Sequence, residues 1–184
     1  MKYYSFAPCG IETTKFCEPE VFGEWEDEFL KGNYWKDRSL KLPITMSVAN
    51  KYNPGDYPLA DSHLVSQRLL NIIKRLNNDF EVLPTQLFYK AKEPIWDTYY
   101  TILFPEYDAF NFKKSEYDTG IDGESICLID KLVLSQEKLS LVDNSNNIFV
   151  LKETKLDVIC TETAKNMIEK AGIKDVRFTE LPVE

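Results

Sequence analysis

Histidine is almost missing from this sequence: His63 is the only one in 184 residues. Cysteine is sparse, with Cys9, Cys17, Cys127 and Cys160 far apart and in no Cys-x-x-Cys pair. Zinc sites of the usual Cys/His kinds need several ligands at short spacing, and disulfide frameworks need denser cysteines, so both are excluded. The thiols are expected to be reduced and mostly buried. Only seven glycines occur, and neither Gly-x-x-x-x-Gly-Lys-Ser/Thr nor Gly-x-Gly-x-x-Gly is among the motifs, which leaves no phosphate cradle. No apolar run approaches the roughly 18 residues of a membrane-spanning helix, and Met1 to Pro8 holds no signal-like stretch. A cytoplasmic location is the expectation. Positive charge is also short, with 22 Lys and Arg against 30 Asp and Glu and a net charge of −8. That excess repels phosphate backbones and anionic lipid, which excludes generic nucleic-acid and membrane partners and suits a basic protein.

What remains is ordinary globular material, 43% hydrophobic and 28% charged. A chain of this length is expected to form one domain over residues 1–184. Residues 1–60 are irregular, aromatic and acidic. Within them Lys2–Phe6 and Pro43–Val48 read as strands, Glu24–Leu30 as a short helix stopped by Gly32, and Tyr52–Asp56 as a turn.

The clearest pattern starts at residue 62. Leu64-Val65 is strand-like, and the Ser66 hydroxyl can cap a helix whose stripe is Leu69, Leu70, Ile72, Ile73 and Leu76. Asn77-Asn78-Asp79 ends that helix, and Phe80–Leu83 reads as a strand ahead of Pro84. The same order returns 95 residues later: Val158-Ile159-Cys160, a Thr161 cap, then Ala164, Met167, Ile168 and Ala171. Gly172 closes this second helix before the strand Asp175–Phe178. Between the two units, Asp97–Phe104, Ile126–Leu134 and Asn147–Leu151 read as strands, and Asp143–Asn147 as a turn. Few helices and many irregularly spaced strands predict an α+β fold with a mixed or antiparallel sheet and two similar strand–helix–strand units.

Chemical motifs are thin. Asp118-Thr119-Gly120 is the tripeptide of aspartic proteases, but it occurs once and follows a polar segment, so it reads as a turn. His63 has no nucleophile elbow or Cys partner beside it and reads as structural. The Glu24–Glu28 run reads first as a solvated face. Its functional variant is a docking patch, because acids steer an approaching partner while aromatics such as Trp25 and Trp35 supply binding energy. No cofactor or metal site emerges.

The segment from Asp61 onward resembles the bacterial immunity proteins of polymorphic toxin systems, in the group numbered eleven. The resemblance rests on the Ser66-capped helix, the strand Tyr99-Tyr100-Thr101-Ile102-Leu103, and Asp108-Ala109-Phe110-Asn111 with Ser115-Glu116-Tyr117. Ile148-Phe149-Val150-Leu151 and the closing stretch from Ile159 through Gly172 to Phe178 complete it. Asn111 stands where the family usually has aspartate, Leu103 where Asn is frequent, and Thr161 where Ser is common. The resemblance implies a non-enzymatic protein that binds and neutralises a cognate toxin domain. Charge alone adds that the toxin is basic, as nucleases are. Two acidic stretches are candidate contact surfaces. Residues 1–30 carry −5, and there Glu24, Trp25, Glu26, Asp27 and Glu28, with Trp35 beyond, are the candidates. Residues 104–125 carry −4, with Glu106, Asp108, Glu116, Asp118, Asp122 and Glu124. Asp108 has the alternative role of capping a strand end. Rival readings are a small carboxylate-dependent hydrolase or transferase, and an adaptor or chaperone for a secreted effector.

Overall fold

The computed structural model describes residues 1–9, 54–60, 62–89, 93–95, 98–121, 125–154 and 157–184, together with the strands at 16–18 and 44–48. For 16–18, 44–48, 59 and 60 only the backbone is described. The helix expected at Glu24–Leu30 lies outside these residues.

The described strands are β1 (Tyr3–Pro8), β2 (Phe16–Glu18), β3 (Ile44–Val48), β4 (Leu59–Ala60), β5 (Leu64–Ser66), β6 (Glu81–Tyr89) and β7 (Glu93–Pro94). They continue as β8 (Tyr99–Leu103), β9 (Glu106–Tyr107), β10 (Glu116–Thr119), β11 (Ile126–Lys131), β12 (Ile148–Leu151), β13 (Val158–Thr161) and β14 (Val176–Leu181). The described helices are α1 (Gln67–Leu76), α2 (Gln136–Leu139) and α3 (Glu162–Lys170). One sheet has the order β14-β1-β13-β12-β9, a second β4-β2-β3-β6-β8-β5 with β7 also on β6, and β10-β11 form a separate ribbon. Parallel pairs (β12·β9, β2·β4, β3·β6) stand among antiparallel ones. The fold is the expected α+β arrangement with mixed sheets and few helices.

The two strand–helix–strand units share more than their caps. In the first, β5 and β6 lie on either side of β8, each antiparallel to it. In the second, β13 and β14 lie in the same way on either side of β1. The central strands begin alike, Tyr99-Tyr100-Thr101 and Tyr3-Tyr4-Ser5, and keep the same register. Cap residue Ser66 stands opposite Tyr99 as Thr161 stands opposite Tyr3, and Ile102 faces Val82 as Phe6 faces Phe178. The order along the chain differs, since the central strand follows its helix in one unit and precedes it in the other.

The caps do what their residue types predict. Ser66 Oγ accepts from the Leu69 N–H at 3.2 Å, and Thr161 Oγ1 from the Ala164 N–H at 3.4 Å. Each satisfies one of the donors that a helix start leaves unpaired. Gly172, at φ +74°, closes α3: its N–H reaches the Glu169 carbonyl, and the Ile173 N–H the Ile168 carbonyl. Those two bonds form a Schellman motif, with Ile173 packed in the same core as Ile168. Helix α1 ends on Asn77 instead, whose buried side chain accepts from the N–H groups of Asn147 and Ile148 and donates to the Ile148 carbonyl. The Asn-rich breaker after α1 and the Asn-rich turn before β12 are therefore one junction.

Two apolar cores flank the first sheet. The larger takes Leu69, Leu70, Ile73 and Leu76 of α1, Ala164 and Ile168 of α3, and equivalent positions of both units: Val65 and Cys160, Ile102 and Phe6. The smaller holds Ala109, Phe110, Leu134, Leu139, Phe149, Leu151 and Ile159. Successive residues of a strand face opposite sides. Ile148 and Val150 therefore enter the first core, Phe149 and Leu151 the second, which explains the unbroken apolar run of β12. Each such fully buried side chain stabilises the fold by roughly 1.5–3 kcal/mol.

Three expectations need correcting. The strand before Pro84 does not stop there but runs on to Tyr89. Pro84 pairs with Tyr100, and β3 joins β6 only from Thr85 onward, so no described neighbour on that side needs the missing N–H. Met167 is not in the stripe of α3 but 37% exposed. Of the three cysteines with described side chains, only Cys160 is buried, while Cys9 and Cys127 are exposed.

Candidate partner-binding face

The β10–β11 ribbon and the segment leading into it cover the smaller core. Tyr117 stands opposite Ile129 and both turn inward onto that core, with Ile126 beside them. Ahead of β10, Asn111 organises a tight turn. Its Oδ1 accepts from the Lys113 N–H, its carbonyl from the N–H groups of Lys114 and Ser115, and its Nδ2 donates to the Glu184 carbonyl. An aspartate could accept in the same turn but could not donate to Glu184, so asparagine here adds a bond to the segment after β14. The Ser115 hydroxyl accepts from the Val133 N–H and donates to the Val133 carbonyl. Ala109 is fully buried, where a larger side chain would displace the core. The family-like stretch from Asp108 to Ser115 is thus mainly a folding device.

Asp108 belongs to a charged cluster that sequence reasoning did not assemble. Lys138 of α2 donates to Asp108 Oδ1 at 2.6 Å and to the Phe110 carbonyl at 3.1 Å, and lies 5.3 Å from the centroid of the Phe112 ring. The carboxyl of Glu153 meets Asp108 from the turn after β12. Burial, then the hydrogen bond to Asp108, pushes Glu153 up to about 7. The same bond, then Lys138, holds Asp108 below the usual carboxylate range. The raised Glu153 carboxyl can therefore keep a proton to donate to Asp108, and its Oε2 is buried with no hydrogen-bond partner among the described residues. Lysine, aspartate and glutamate stand 15 to 45 residues apart, and no spacing rule connects them.

The remaining sequence candidates separate. Glu24, Trp25, Glu26, Asp27, Glu28 and Trp35 lie outside the described residues, as do Asp122 and Glu124. Glu106 is exposed on β9. Glu116 faces Lys131 across the ribbon at 3.8 Å, and Asp118 is exposed opposite Leu128. His63 is structural: its Nδ1 lies 3.2 Å from the Tyr57 hydroxyl and its ring against Phe104. Among the described residues no group of three or more metal-type ligands forms, and no helix is long and apolar enough to cross a membrane. The apolar residues on this face, Phe112 and Leu128, were not among the candidates. Only their exposure in the fold distinguishes them from core residues.

No curated protein matches the chain. The family model described as Immunity protein family (Imm11) matches residues 34–182, about four-fifths of the sequence. The match spans the Asn111 turn, both strand–helix–strand units except β1, and the Asp108–Lys138–Glu153 cluster, and so this chain belongs to the Imm11 immunity protein family.

Proposed function

We propose that the chain acts as a single domain in the bacterial cytoplasm and neutralises a cognate toxin domain by protein–protein contact, without catalysis. Membership of the immunity protein family carries this reading. The net charge of −8 and the exposed acids Glu106, Glu116 and Asp118 support a basic, nuclease-like toxin, because opposite charge steers association. The second candidate surface is the N-terminal group Glu24, Trp25, Glu26, Asp27, Glu28 and Trp35. Co-expression with the toxin domain encoded beside its gene tests the reading through growth rescue and co-purification. Growth arrest without any co-purified toxin would sink it. Reversing the charge of Glu26, Asp27 and Glu28 assigns the N-terminal patch: slower, salt-dependent association places it in the interface, and unchanged kinetics removes it.

One observation favours the carboxylate-dependent enzyme as a second reading. Asp108 and Glu153 are adjacent acids whose protonation ranges are pulled apart, an arrangement that acid–base catalysis uses. Against it, Lys138 engages Asp108 and Glu153 Oε2 is buried, which suits a latch between turns better than a reacting pair. Glu153→Gln separates the readings. Rescue lost with toxin binding intact would favour catalysis, and rescue retained favours the binder.

A further inference from the structure

Among the described residues, the β10–β11 ribbon hydrogen-bonds to no third strand. Its inner face is spent on the smaller core through Tyr117, Ile126 and Ile129. On an antiparallel ribbon with one face buried, the other is expected to be polar. Here Leu128, 53% exposed, breaks that pattern among the exposed Glu116, Asp118 and Lys131. Leu128 stands directly across from Asp118. Asp118 and Asp130 have no cationic partner among the described residues, whereas the neighbouring Glu116, Asp108 and Glu184 each have a lysine. An apolar anchor flanked by unneutralised carboxylates is the composition of an interface core with a charged rim.

We infer that the outer face of the β10–β11 ribbon is the docking surface for the toxin domain, and that it accepts a basic surface carrying an apolar recess for Leu128. This rests on the toxin-binding reading above. Leu128 supplies the apolar contact that holds the complex, and Asp118 and Asp130 steer the approach. Charge complementarity selects the occupant. A second copy of this chain would bring the same acids against one another.

The wild-type protein contains its own probe. Cys127 is exposed next to Leu128, and Cys9 is exposed just past the end of β1. Alkylation is followed by mass spectrometry with and without the toxin domain encoded beside the gene. Cys127 is expected to be protected about tenfold or more in the complex, while Cys9 reacts as before. Asp118→Lys with Asp130→Lys should slow association about tenfold at low salt, with the difference shrinking as salt is added. Leu128→Ser should speed dissociation about tenfold while association changes little. All three positions are exposed, and unchanged thermal melting certifies the fold. If the wild type binds the toxin while Cys127 stays reactive and the variants bind equally well, the ribbon is not the surface and the toxin-binding reading stands. A wild-type protein that neither binds nor rescues overturns that reading itself.

Discussion

Helix α1 buries five apolar residues and α3 buries two, although both start from a hydroxyl cap in the same three-stranded frame. Leu69 of the first unit corresponds to Ala164 of the second, and Ile72 to the exposed Met167. Equal local rules have produced unequal loads. The caps and registers depend on a few backbone bonds that any Ser or Thr and any paired strand can supply. The load depends on where each helix sits relative to the larger core. The ends differ as well: α3 closes within itself through Gly172, while α1 closes through Asn77 onto a strand 71 residues away.

The largest effect is expected from the load. Leu69→Ala should destabilise by about 3 kcal/mol or more through lost burial and a cavity, while Ala164→Leu, its mirror image, should cost about 1–3 kcal/mol through overpacking. Denaturant melts of both variants check this. Near-equal small losses would mean that the two helices carry the same weight after all. Asn77→Ala comes next. It strips partners from the buried Ile148 carbonyl and two N–H groups, and should cost about 2–3 kcal/mol.

Glu153 sharpens the contrast from outside both units. Its proton is held in the folded state up to about 7, whereas an unfolded glutamate releases it near 4.5. The folded chain therefore binds more protons across that window, and stability should fall as pH rises through it, then level off. Asp108 acts in the opposite sense and lower, adding stability above its ordinary range that is lost as pH falls further. Partial exposure limits the Glu153 contribution to about 1 kcal/mol after solvent screening. Thermal melts of wild type and Glu153→Gln from pH 4.5 to 8 should converge at low pH, separate as pH rises to about 7 and keep that gap above it, the glutamine variant being more stable. Parallel curves would show that the pair does not share a proton. The smallest effect, about 1 kcal/mol, is expected for Gly172→Ala, from the positive φ that alanine resists. The new methyl would meet only the flexible Arg68 guanidinium at 3.3 Å.

Both helices, their caps and the glycine stop were legible because periodicity, capping and positive φ are local properties. The strand at Tyr99–Leu103 was legible from residue type. Pro84 misled because a proline ends a strand only where its missing N–H would be needed, and pairing partners decide that. The exposed cysteines and Met167 misled because an apolar side chain carries no mark of which core, if any, will receive it. Of the candidate face, the acids were visible from charge. Lys138, Glu153 and Leu128 were not, since their meaning depends on neighbours distant in the chain.

The amino-acid sequence by itself determined the fold class, the two capped helices, the acidity of the chain and its likeness to an immunity family. All of these follow from short-range pattern or from composition. The tertiary structure alone decided that β1 completes the second unit as β8 completes the first, that Asn77 joins two Asn-rich breakers, and that a ribbon turns Leu128 and Asp118 outward. Each is a meeting of residues separated by ten positions or more, and for β1 by most of the chain. Strand pairing and burial are collective outcomes, fixed by which faces find a core, and no local rule encodes them.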